Sequence, residues 1–262
     1  MFKDTYKGVP THIQDCMELY IDKNDHYHSV NHKRRFARTI QLILDQNPYG
    51  SLLELGTSNL LPMCLTVLAP NIKVTVTDFD LTNPETSELE ITQGLHSQKF
   101  PCYSVDLEKT PLPADNESFD YVVCSEVIEH MEIDPMFMLS EINRVLKPGG
   151  VLILSTPNAV STHSITKMVH GIEPYFYMQY NKNGDYHRHN YEYSVHTLSR
   201  VLKSAGFNGT IWTEDTFEDP VPTVVERLNK AGFNIKNVGD NIFTVAKKEG
   251  PVVDRYPKEI YV

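Results

Sequence analysis

Three acidic residues stand where short apolar runs end: Glu54 within SLLELGTS (51–58), Asp78 closing IKVTVTD (72–78) and Asp106 closing FPCYSVD (100–106). A carboxylate accepts two hydrogen bonds from a ribose diol or one from an exocyclic amine, and it favours a nearby cation. The set therefore suits an adenosine-type ligand. Gly56 lets the backbone turn tightly towards such a ligand, although the dinucleotide pattern GxGxxG survives as one glycine, since the run continues Thr57, Ser58, Asn59, Leu60. A second set lies in SEVIEH (125–130), where the spacing predicts that Glu126 shares a helical turn with Glu129 or His130. With His187 or His189 as a fourth ligand these side chains could hold a divalent metal, a reading left open rather than favoured.

The acidic residues need a scaffold that brings strand ends together. Leu52, Leu53 and Leu55 are what a strand buried on both faces requires, and FDYVVCS (119–125) and GGVLILST (149–156) are almost continuously apolar. Helical signals alternate with these strands. Asp134-Pro135 starts a helix carrying Ile142, Val145 and Leu146, which stops at the sharp Lys147-Pro148-Gly149-Gly150 turn. Ser194 caps another that ends at Gly206, and TIWT (210–213) and IFTVAKK (242–248) read as later strands. The pattern predicts a parallel α/β sheet with ligands at the carboxyl ends of its strands, where Glu54, Asp78 and Asp106 share one rim. Upstream, residues 29–46 place Phe36, Ile40, Ile43 and Leu44 on one helical face. The other face carries His32, Lys33, Arg34, Arg35 and Arg38, which reads first as solvated and second as a hold for an anionic substrate.

Composition narrows the function classes. A chain of 262 residues, 40% hydrophobic, can bury one large α/β core with decorations. No apolar run approaches membrane-spanning length and the start MFKDTYKGVP lacks a signal-peptide core, so a cytoplasmic chain with no membrane partner is expected. The cysteines Cys16, Cys64, Cys102 and Cys124 form no CxxC pair and are expected as free thiols. A formal net charge of −10 makes nucleic acid an unlikely partner and a small molecule the favoured one.

LLELGTS, VTVTDFD, and VDLEKTPLPADNESFDYVVCSEVIEHM followed by LSEINRVLKPGGVLILSTPN resemble the class I S-adenosylmethionine-dependent methyltransferases over residues 50–155. The resemblance implies a Rossmann-like seven-stranded, mostly parallel sheet with helices on both faces and the last strand antiparallel. It places Glu54 near the methionine amine of the cofactor, with Gly56 and Thr57 allowing close approach. It sets Asp78 on the ribose hydroxyls with Phe79 beside the adenine, Asp106 and the Leu107 backbone on the adenine edge, and Ser125 and Glu126 at the methionine end. Around this core the chain divides into an N-terminal helical extension (1–48), the methyltransferase domain (49–250) with an insertion at about 158–193, and a tail (251–262).

Methyl transfer to a hydroxyl is helped by a base, and histidine is best poised near neutral pH. Residues 155–193 hold His163, His170, His187 and His189 among Tyr175, Phe176, Tyr177, Tyr180, Tyr186, Tyr191 and Tyr193, a length and composition that predict a substrate lid. His187, His189 and His163 are the candidate bases. The expected reaction is O-methylation of a sugar or secondary-metabolite hydroxyl, and the tail VVDRYPKEIYV resembles those of methyltransferases in glycan and natural-product pathways. SEVIEH, STPN and HRHNYEY also resemble the metal-dependent small-RNA 2′-O-methyltransferases, which is one alternative. An inactive methyltransferase-like binding subunit is another. The aromatic insertion leaves a homo-oligomer open.

Overall fold

The computed structural model describes residues 8–21, 32–79, 87–174, 188–217, 219–233 and 235–262. Two helices, α1 (Thr11–Tyr20) and α2 (Lys33–Leu44), precede the sheet. Then follow β1 (Gly50–Leu55), α3 (Leu60–Leu68), β2 (Ile72–Asp78), β3 (Glu88–Gln93), β4 (His96–Ser104) and β5 (Phe119–Ser125). The second half runs α4 (Pro135–Val145), β6 (Leu146–Pro157), α5 (Thr162–Val169), α6 (Val195–Ser204), β7 (Phe207–Glu214), α7 (Pro222–Lys230) and β8 (Asn241–Lys248).

The strand order is β3-β4-β2-β1-β5-β6-β8-β7. The central run β4-β2-β1-β5-β6 is parallel, and β8 lies antiparallel between β6 and β7, so the mostly parallel sheet with an antiparallel closing strand is observed. To the seven expected strands the structure adds an eighth, β3, antiparallel to β4 at the edge. Its signal was short: a two-residue tip, Gly94-Leu95, with Gly94 at φ +59°, the positive φ that such hairpin tips require. The strict alternation of strands and helices therefore fails here, because among the described residues no helix separates β2 from β4 or β4 from β5. The Lys147 to Gly150 turn also sits inside β6, as an irregularity against β5 where the register jumps between Phe119 and Tyr121.

Apolar residues cover both faces of the sheet. On one, α1, α2 and α3 pack Met17, Phe36, Ile40, Ile43 and Leu61 against Leu52, Val76, Ile153 and Phe243. On the other, α4 and α6 pack Leu139, Ile142, Leu198 and Val201 against Leu53, Val122, Leu152 and Ile242. The predicted caps form: Asp134 accepts from the Phe137 N–H at 3.1 Å and Ser194 from the Thr197 N–H at 3.2 Å. The C-terminal tail returns to the first of these, where Arg255 and the Tyr261 hydroxyl both bind the Asp134 carboxylate. All four cysteines are free and buried. Among the described residues no helix is long and apolar enough to cross a membrane.

Candidate active site

Because β1 pairs in parallel with β2 and β2 with β4, their carboxyl ends lie at one edge of the sheet, as Asp78↔Ser104 illustrates. Glu54 is 1% exposed. One of its oxygens accepts from the Ser58 hydroxyl at 2.6 Å and the Ser58 N–H at 3.1 Å, while Oε2 has no partner although it is buried. Burial pushes its carboxyl up to about 7, against the Ser58 hydrogen bonds that pull it down. Ser58, at a position where a second glycine would give only backbone, thus holds the rim carboxylate. It also accepts from the Leu61 N–H at 3.2 Å in the first turn of α3.

The turn after β1 is fixed to β2. The Gly56 N–H donates to Thr77 Oγ1 at 2.9 Å, and the Thr57 hydroxyl donates to the Thr77 carbonyl at 2.6 Å. Gly56 has φ +65°, and a Cβ there would sit 2.7 Å from a Val127 methyl, so this position demands glycine. Asp78 Oδ1 accepts from the Phe79 N–H at 2.8 Å, and Phe79 is exposed beside it. Asp106 accepts from the Glu108 N–H at 3.0 Å and pairs with Lys109 at 2.9 Å, while Leu107 packs on the second core face. At the end of β5, Ser125 and Ser155 share a hydroxyl hydrogen bond at 2.8 Å.

Glu126 departs from the expected helical turn. It has φ +57° and precedes a helix of only three residues, Ile128–His130, so its side chain leaves in a different direction from that of Glu129. Its Oε1 accepts from Ser155 at 2.8 Å and Asn241 at 3.1 Å and lies 3.8 Å from Arg35 Nη1. The structure instead brings Glu129, His130 and His189 together, one ligand-type atom from each within 4.8 Å of the others. The backbone makes this cluster. The Glu129 carbonyl accepts from the N–H groups of Asn190 (2.7 Å) and Tyr191 (3.2 Å), and the Asn190 amide donates to the His130 carbonyl at 2.8 Å.

Each ring is oriented by a group that only accepts. His130 Nδ1 lies 3.0 Å from the Arg188 carbonyl and His189 Nδ1 2.7 Å from Glu192 Oε1. Both Nδ1 atoms must then carry the proton, which makes Nε2 the accepting nitrogen of each neutral ring. Glu129 is fully buried: Oε2 accepts from Thr156 at 2.9 Å, and Oε1, without a hydrogen-bond partner, lies 4.0 Å from His130 Nε2. Burial first, and the Glu126 charge second, push the Glu129 carboxyl well above its ordinary range.

Of the predicted bases, His189 is therefore in the cluster and His163 is elsewhere. His163, on α5, lies 2.8 Å from the Asp219 carbonyl through Nε2, near Arg34, which pairs with Asp219 at 3.2 Å. His187 lies outside the described residues. The solvated reading of the basic helix face fails at Arg35, which is 2% exposed and stacks over Phe36 with its Cζ 4.7 Å from the ring centre. Arg35 and Asn241 escaped the site prediction because each belongs to the rim only through residues distant in sequence.

The parallel run with its rim of carboxylates and its antiparallel closing strand is the Rossmann-like fold of S-adenosylmethionine-dependent methyltransferases. A family model described as "Methyltransferase domain" matches residues 27–210, and the chain belongs to that family. A ubiquinone biosynthesis O-methyltransferase of Xanthomonas oryzae is 39% identical over 83 residues, 32% of this chain and 34% of that protein. Its Rickettsia canadensis namesake is 28% identical over 139 residues, 53% of this chain and 46% of that one. The chain thus spans a third to just under half of the length of these curated relatives. A SAM-dependent methyltransferase of Archaeoglobus fulgidus shares the fold, with a TM-score of 0.54 and 18% identity over 82% of this chain and 94% of that one.

Proposed function

We propose that the protein O-methylates a small molecule, a sugar or secondary-metabolite hydroxyl, with His189 as the base. The observation that carries this is the Glu129, His130 and His189 cluster, whose accepting nitrogens stand where β5 delivers its carboxyl end to the rim. The O-methyltransferase names of the partial relatives support oxygen as the acceptor atom.

The rim residues fit S-adenosylmethionine. Glu54 offers a buried, unpartnered carboxylate oxygen to the methionine amine. Asp78 suits the ribose hydroxyls with Phe79 beside the base, Asp106 and the Leu107 backbone suit the adenine edge, and Gly56 and Thr57 form the turn against the ligand. Ser125 and Glu126 flank the methionine end. When bound, the donor supplies an electrophilic methyl group on a sulfonium. The chain's own work is to align the acceptor oxygen with it, an effect worth as much as ~7–11 kcal/mol. His189 Nε2 takes the hydroxyl proton, while Glu192 on Nδ1 stabilises the imidazolium that results, a contribution of ~10²–10⁴-fold. In this reading the insertion expected at about 158–193, of which residues 175–187 lie outside the described residues, serves the acceptor side of the 49–250 unit. The bonds from residues 188–191 to Glu129 and His130 support that placement. His163 would then serve the architecture around Asp219 rather than the proton transfer.

One observation favours a second reading at the same cluster. Two imidazole nitrogens and the unpartnered Glu129 Oε1 are a ligand set for a divalent transition metal, which would act as a Lewis acid on the hydroxyl. The same site would then run metal-dependent chemistry. The two readings separate in one experiment: turnover of purified, chelator-treated protein titrated with Mg²⁺ and Mn²⁺. Unchanged turnover, together with loss of turnover in His189→Ala at intact S-adenosylhomocysteine binding, is the result expected for the base. Turnover restored only by metal assigns the cluster to an ion, and full activity of His189→Ala removes the base assignment.

A further inference from the structure

Three successive backbone N–H groups converge on one side chain. Glu108 Oε1 accepts from Ile133 at 2.7 Å and from Asp134 at 2.8 Å, and Oε2 accepts from Glu132 at 2.9 Å. Such a run of N–H groups forms a nest for an anion, and an ionised carboxylate makes charge-assisted bonds to it. The partners are 24 to 26 residues apart, so these bonds tie two separate segments together.

Each segment leads to a different half of the site. Glu108 belongs to the turn after β4, the one whose Asp106 and Leu107 suit the adenine edge. That turn is closed where the Lys109 and Thr110 N–H groups donate to the Asp106 carbonyl at 3.1 and 2.8 Å, and the Glu108 N–H to the Asp106 carboxylate at 3.0 Å. Residues 132–134 follow closely on the three-residue helix that carries Glu129 and His130. They also reach the other half of the cluster, since Glu132 Oε1 lies 3.6 Å from Arg188 Nη2, next to His189. Helix α4 does not need the Glu108 bonds: they precede it, and Asp134 caps its first turn.

We propose that Glu108 is a positioning residue that couples the donor's adenine end to the geometry of the Glu129, His130 and His189 cluster. A donor held at Asp106 and Leu107 immobilises the 106–110 turn, and Glu108 passes that order to 132–134 and so to His130 and residues 188–191. The cluster is then already ordered when the acceptor arrives, which makes the two ligands bind cooperatively. This rests on the donor-site reading above and goes beyond it, because in it Glu108 touches neither ligand.

Hydrogen exchange on the intact chain tests it with two probes, S-adenosylhomocysteine and 5′-methylthioadenosine. The second lacks the amino-acid end and so cannot act through Ser125 and Glu126. The reporters are the amides of 132–134 and those of Asn190 and Tyr191, which bond the Glu129 carbonyl. In wild type, saturation with either nucleoside should slow their exchange by about 10-fold or more. Glu108→Ala should bind methylthioadenosine within about threefold of wild type by calorimetry yet show no slowing at 190–191. Glu108→Gln, which keeps the oxygen serving Ile133 and Asp134, should fall between. A merely architectural side chain would speed exchange at 132–134 when removed but leave the nucleoside effect at 190–191 in place, and that result overturns the proposal. So does wild type in which methylthioadenosine binds without slowing 190–191, a comparison that needs no variant to fold. Wild type that binds neither nucleoside overturns the donor site and this coupling with it.

Discussion

Glu54 and Asp78 stand at the ends of two strands of one parallel run, and Asp106 lies two residues past the end of a third. Glu129, His130 and His189 meet only because residues 188–191 fold back onto a three-residue turn 58 positions earlier. The first region inherits its geometry from β-ladders and would keep it through most local damage. The second is held by a handful of hydrogen bonds to carbonyls and one buried carboxyl, so it has far less redundancy. A rigid shelf for a common cofactor beside a lightly tied cluster for the variable partner is how one fold can accommodate different acceptors.

The comparison predicts that binding and turnover fail separately. The largest effect belongs to the cluster: His189→Ala should lower turnover by ~10²–10⁴-fold while S-adenosylhomocysteine affinity, read by calorimetry, stays within about twofold. A parallel fall in both would mean the two regions are one. On the shelf, Glu54 sets a pH signature. The folded chain without ligand keeps the Glu54 proton up to about pH 7, whereas the unfolded chain releases it near 4.5. Stability therefore falls as pH rises between those values and is level above them. Glu54→Gln should remove a loss of about 3 kcal/mol across that window, seen as a flatter dependence of Tm on pH.

Smaller effects delimit the regions. Gly56→Ala, at φ +65° and against Val127, should cost ~1–2 kcal/mol of stability in chemical denaturation and weaken S-adenosylhomocysteine binding. Ser194→Ala removes the α6 cap, two residues past Glu192, and should cost ~1 kcal/mol while leaving S-adenosylhomocysteine binding unchanged. A change in turnover there would show that α6 communicates with the cluster.

The same contrast explains what the amino-acid sequence made legible. Strand ends are local, so apolar runs closing on Glu54, Asp78 and Asp106 could be read directly, as could the caps at Asp134 and Ser194. The SEVIEH spacing misled because it assumed a regular helix: the positive φ at Glu126 sends that side chain to Ser155 and Asn241 instead of to His130. Arg35 looked like part of a solvated basic face, and it is inside because Glu126, just past β5, and the Phe36 and Phe217 rings lie against its guanidinium. Strand β3 was missed because ELEITQ is half exposed and its two-residue tip carries little sequence signal.

The central claim is that Glu54 receives the donor's amine on the strand-end shelf. Calorimetric titration of the wild-type protein with S-adenosylhomocysteine at pH 6 and pH 8 tests it most directly. Because a carboxyl near pH 7 goes from mostly protonated to mostly ionised across that interval, the account predicts one site per chain, about tenfold tighter at pH 8, with proton release on binding. No binding, or equal affinity at the two pH values, would contradict it.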